Sequence, residues 1–109
     1  MAYDERLADR VRKFLASRRG VTEKRMFGGI CWLVHGNMAC GIVHDLLMVR
    51  VGPDSFEDAL ARPHTRPMDF TGRPSRGMVY VEPAGVKAGS ALAAWVKRGA
   101  DFAASLPKK

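Results

Sequence analysis

Apolar positions along the chain change period several times, and each change marks an element. Near the start, Leu7, Val11, Phe14 and Leu15 recur at helical spacing with Arg and Asp on the opposite side, which is the stripe of an amphipathic helix. Gly20 is a natural stop, so the pattern predicts a first helix over about Tyr3–Arg18. Short apolar runs rich in β-formers follow: "ICWLV", "MACGIV" and "LLMVRV", separated by Gly-Asn and His-Asp turn signals. A two-residue loop at Gly36-Asn37 with a second turn at His44-Asp45 sets a register. Leu33 then faces Cys40, Cys31 faces Ile42, Ile42 faces Leu47 and Cys40 faces Val49. In that register one face carries Cys31, Leu33, Met38, Cys40, Ile42, Leu47, Val49 and Val51, and it is the predicted core. The other carries Ile30, Trp32, Val34, Ala39, Gly41, Val43, Met48 and Arg50. This second face is too apolar for free solvent, so a helix, a terminus or a second subunit is expected over part of it, with Trp32 and Met48 as contact residues.

Helical spacing returns in "GPDSFEDALAR", where Pro53 suits a first helical position. The proline- and glycine-rich stretch "PHTRPMDFTGRPSRG" reads as a loop, with a short edge strand near Met68–Phe70. "MVYV", Met78–Val81, is a compact strand closed by Pro83. In "SALAAWVKRGADFAASL" the residues Leu92, Trp95, Val96, Gly99, Phe102, Ala103 and Leu106 lie at helical spacing, with Ser90 as N-cap and Pro107 at the end. The order is α-β-β-β-α-(β)-β-α. Tight turns make the sheet antiparallel, and the expected fold is a two-layer α+β domain with helices packed on one face, spanning residues 1–109 as one unit.

Composition changes this picture in two respects. No apolar run approaches the roughly 20 residues of a membrane span. "MAYDERLADRVRKFL" is charged from its fourth residue, without the apolar core of a signal peptide, so a cytoplasmic location is expected. The formal charge is +7. Arg6, Arg10, Arg12, Lys13, Arg18, Arg19, Lys24 and Arg25 crowd the first quarter, and Arg62, Arg66, Arg73 and Arg76 surround the proline-rich segment. That balance permits contact with nucleic acid or another anionic partner, although no helix-turn-helix or RNA-binding signature accompanies it.

Candidate chemistry is sparse. "MFGG" precedes a strand and lacks the spacing of a phosphate loop or a dinucleotide fingerprint; strand initiation, a bulge or close backbone packing is its expected role. Cys31 and Cys40 fit no paired-cysteine redox or zinc spacing. The register places them diagonally on one face at roughly 7–8 Å, beyond disulfide reach, and burial is their expected role. No nucleophile, base and orienting group stand out together, so no catalytic residue, cofactor or metal ligand is predicted. The most distinctive stretch is "FTGRPSRGMVYV". Arg73 and Arg76 there can hold a phosphate or carboxylate between two guanidinium groups. The blander role is a buried stem paired with an acid such as Asp69. Arg66, just upstream, joins them as a candidate anion or partner contact.

Taken together, "RMFGGICWLVHGNMACGI", "LLMVRVG", "PMDFTGRPSRGMVYV" and "LAAWVKRGADFAASLP" resemble the N-terminal domain of the TfoX/Sxy family, over about Val21 to Lys109. The resemblance implies an α+β domain. It also implies kinship with bacterial regulators of DNA-uptake competence, transcription co-activators that work with the cyclic-AMP receptor protein. It supplies no catalytic residues to carry over. Competence regulators of this family have a second, helical C-terminal domain, and this sequence stops at Lys109; a stand-alone module with a different regulatory task is therefore expected. The functional expectation is a non-enzymatic interaction module acting through protein partners or self-association. The alternative is a nucleic-acid-binding protein using the basic first helix and the Arg73/Arg76 loop.

Overall fold

A computed structural model describes residues 3–26, 28–68 and 77–108. Asp4 opens the first helix, α1 (Glu5–Leu15), by accepting hydrogen bonds from the backbone N–H groups of Arg6 at 3.0 Å and Leu7 at 3.1 Å, the capping role expected of an aspartate there. The helix buries Leu7, Ala8, Val11 and Leu15, while Phe14, at the margin of the predicted stripe, is 43% exposed.

Among the described residues six antiparallel strands follow: β1 (Val21–Met26), β2 (Gly29–Val34), β3 (Asn37–Val43), β4 (Leu46–Arg50), β5 (Thr65–Pro67) and β6 (Met78–Val81). They lie side by side in the order β1-β2-β3-β4-β6-β5. A single 3-10 turn, Pro53–Ser55, leads into α2 (Phe56–Leu60); α3 (Pro83–Val86) and the long α4 (Gly89–Ser105) complete the chain. The architecture is the expected α+β one. The β3–β4 register, with Cys40 opposite Val49 and Ile42 opposite Leu47, and the span of β6 agree with the sequence pattern.

Several expectations are corrected. β1 was not foreseen. The edge strand β5 lies at Thr65–Pro67 rather than near Met68–Phe70, and positions 69 and 70 fall outside the described residues. Ser90 lies inside α4, whose N-cap is Ala88, without a side-chain hydrogen bond. The β2–β3 loop is His35-Gly36 rather than Gly36-Asn37, because Val34 pairs with Asn37. Both loop residues have positive φ, 51° and 84°, as a hairpin turn that matches strand twist requires.

The largest correction concerns the faces of β2. Trp32 opposes Cys40 and Leu33 opposes Met38, so Ala39 is an extra residue in β3, a bulge. One inserted residue exchanges the two faces of the facing strand. Ile30, Trp32 and Val34 therefore join Cys40, Ile42, Leu47, Val49 and Val51 in the core beneath the helices. Cys31 belongs to the opposite side. The helices close this core tightly at one place. A Cβ built on Gly99 of α4 would lie 2.4 Å from the Ala39 carbonyl oxygen, so the helix approaches the sheet directly over the bulge.

Candidate interaction surfaces

The second sheet face forms its own apolar cluster. Cys31, Val43, Met48, Met68 and Tyr80 are buried in it, and Met26, Met38, Leu46 and Met78 pack around them half-buried. Among the described residues, no helix residue belongs to this cluster. Of the chain's six methionines, every one after Met1 is a member. Gly41 makes the close packing possible. A side chain there would meet the Met48 methyl at 2.6 Å, the Ile30 carbonyl oxygen at 2.7 Å and the Cys31 Sγ at 2.8 Å.

The sequence-predicted contact residues separate. Met48 sits at the centre of the second face and is wholly buried. Trp32, expected beside it, lies on the helix side and is 2% exposed. Its indole N–H donates to Glu23 Oε1 at 2.9 Å. Arg12 of α1 donates to both oxygens of the same carboxylate, at 2.7 and 3.1 Å, so Glu23 clamps α1 and the buried tryptophan to the edge strand β1. The Arg12 hydrogen bond, aided by the Trp32 N–H against the opposing effect of burial, holds the Glu23 carboxyl below its usual range. Arg66 lies exposed on β5 with its guanidinium carbon 5.5 Å from the Tyr80 ring centroid, at cation–π distance. Arg73 and Arg76 lie outside the described residues.

Three of the eight basic residues in the first quarter are engaged in structure. Arg10 donates to the carbonyl oxygens of Val86 at 2.8 Å and Lys87 at 3.1 Å. Arg12 is held by Glu23 and by Asp9. Arg18 pairs with Asp101 at 2.7 Å, and Lys97 reaches the other oxygen of that carboxylate at the same distance. Lys97 and then Arg18 hold the Asp101 carboxyl below its usual range.

Both cysteines are free and buried. They lie in different clusters on opposite faces of the sheet, which replaces the shared face expected from the pattern. Burial pushes the Cys31 thiol up to about 11 and the Cys40 thiol up to about 12. The thiolate is the reactive form, so neither cysteine should modify in the native protein at neutral pH. Mass spectrometry after treatment with a thiol reagent should show no adduct in buffer and two in denaturant. Rapid single labelling in buffer would mean that one face opens readily. Among the described residues, no three His, Cys, Asp or Glu side chains come together to hold a metal, and no helix is long and apolar enough to cross a membrane.

A cleft that the sequence pattern did not reveal lies on the helix side. It has a volume of about 520 Å³, and Arg62, His64, Gly85, Ala94, Trp95 and Arg98 are among the residues lining it. Its walls come from three separate segments: the turn after α2, α3 and the middle of α4. The only sequence signals were a tryptophan read as core and an arginine grouped with the proline-rich loop.

An open antiparallel sheet of six strands, with its helices gathered on one face and a methionine-rich cluster on the other, defines an α+β domain with two distinct apolar layers. The profile of the TfoX N-terminal domain family matches residues 13–103, from the second half of α1 almost to the end of α4, and the chain belongs to that family. No curated protein and no solved structure matches the chain.

Proposed function

We propose that the chain is a non-catalytic regulatory module that works by binding another protein, either a different partner or a second copy of itself. The observation that carries this reading is the second sheet face, where Met26, Met38, Leu46 and Met78 stay half-buried and, among the described residues, no helix residue joins their cluster. Methionine is unbranched and polarizable and is over-used at adaptable binding surfaces, so such a face can mould itself to a partner. Membership of the TfoX N-terminal domain family supports a regulatory task. Direct nucleic-acid binding is the second reading, and it loses ground because Arg10, Arg12 and Arg18 are already held by carbonyls and carboxylates.

Affinity capture from native cell extract, with and without nuclease, separates the two. The proposal expects specific proteins to be retained equally in both arms. Loss of all retained material on nuclease treatment would favour the nucleic-acid reading, which also requires steep salt dependence. A chain that retains no protein and sediments as a monomer at every concentration would overturn the proposal.

A further inference from the structure

We infer that the cleft between the turn after α2, α3 and α4 is a binding site for a small organic anion, a carboxylate or phosphate carried on a compact apolar body. Its volume of about 520 Å³ falls within the roughly 300–1,000 Å³ of small-molecule sites. The wall is built of small apolar residues, Ala84, Gly85, Ala91 and Ala94, beside Trp95, which is 8% exposed. The charged residues of the lining are both cationic, Arg62 and Arg98.

The two guanidinium groups are prepared differently. Arg98 is oriented. Its Nη2 donates to Asp58 Oδ2 at 2.8 Å, and its guanidinium carbon lies 5.5 Å from the Trp95 ring centroid. Among the described residues, its Nε and Nη1 make no hydrogen bond, so one edge of the fork is steadied and donors remain for a ligand. The Arg62 guanidinium makes no hydrogen bond or ion pair with any described residue. Its backbone is nevertheless fixed. The Thr65 hydroxyl lies 2.7 Å from the Arg62 carbonyl oxygen, and the Glu82 N–H donates to the His64 carbonyl at 2.8 Å. Gly85 lets α3 approach this turn, since a Cβ there would meet the His64 Cβ at 3.1 Å. A rigid frame thus presents one steadied arginine, and one with no partner among the described residues, beside an apolar wall. The anion belongs between the arginines and the apolar body against the alanines. This site lies on the helix side, away from the methionine face, and does not depend on it.

Titration with phenyl phosphate, benzoate, inorganic phosphate and benzyl alcohol, followed by heteronuclear NMR and tryptophan fluorescence, tests the assignment. Phenyl phosphate or benzoate should bind saturably and shift the amides of residues 62–64, 84–85 and 91–98. Inorganic phosphate, lacking the body, and benzyl alcohol, lacking the charge, should each bind about tenfold more weakly or worse. Arg62→Ala alters an exposed side chain that has no hydrogen-bond or ion-pair partner among the described residues, and it should weaken binding by roughly tenfold, the loss expected for one charge-assisted contact. Ala94→Leu, which fills the cleft from an exposed helix position, should abolish binding while the spectrum stays folded. No saturable binding of either organic anion, or equal binding by wild type and both variants, would overturn the inference.

Discussion

Trp32→Ala should lower the free energy of unfolding by about 3–5 kcal/mol, the range for truncating a buried tryptophan. For a domain of this size that is a fall in Tm on the order of 10–20 °C. The reasons are local. Trp32 is among the largest wholly buried side chains of the main core. It sits beside Leu15, Val21 and Glu23, where α1 meets β1. Removing it leaves a void under the helix and takes away the N–H that Glu23 accepts at 2.9 Å. Trp32→Phe keeps most of the apolar bulk and loses that hydrogen bond and part of the ring, so it should cost less, about 1–3 kcal/mol. Chemical denaturation followed by circular dichroism measures both. The expectation from the apolar pattern alone is different: on an exposed partner face, Trp32→Ala would change stability by less than about 0.5 kcal/mol.

Gly99→Ala should also destabilise, against the usual sign for such a change in a helix. Intrinsic propensity favours Ala over Gly by about 1 kcal/mol. Here the added methyl would lie 2.4 Å from the Ala39 carbonyl oxygen and 3.3 Å from a Val49 methyl. The first obstacle is backbone, so α4 must lift from the sheet, and overpacking of this kind costs about 1–3 kcal/mol or more. The clash should win, leaving a net loss. Gly89→Ala is the matched control, because a Cβ at Gly89 meets nothing within 4 Å. It should be neutral or stabilising by up to about 1 kcal/mol. Equal effects at the two glycines would show that α4 does not touch the bulge.

Most helices and the β3–β4 hairpin were legible in the sequence because their apolar residues have a period. Leu7, Val11 and Leu15 announce α1, and the alternation from Cys40 to Val51 sets the β3–β4 register. β2 was different. Every residue from Gly29 to Val34 is buried, so both faces are apolar and no alternation reveals which side Trp32 takes. The bulge at Ala39 decides it, and nothing in "MACGIV" marks an extra residue. β1 escaped notice for the opposite reason. "VTEKRM" is an edge strand exposed at its four central residues, and charges there discourage pairing with other chains while hiding the strand pattern. The cleft was illegible because Arg62, Gly85 and Arg98 meet only after three distant segments fold together. The methionine face was half visible. Met48 was placed on it, but Trp32 took the position that Cys31, Met38 and the other methionines share.

On the proposed function, this methionine face is the surface through which the protein acts. The most direct test compares wild type with Met38→Lys/Met78→Lys, two half-buried positions whose lysine stems can lie along the face while the charges reach water. Both proteins are immobilised and exposed to nuclease-treated extract containing an untagged copy of the same chain. With the melting curve of the variant near that of wild type, wild type should retain specific protein, its own copy or another, and the variant should lose it. Identical retention by the two would contradict the claim and move the working surface elsewhere on the molecule.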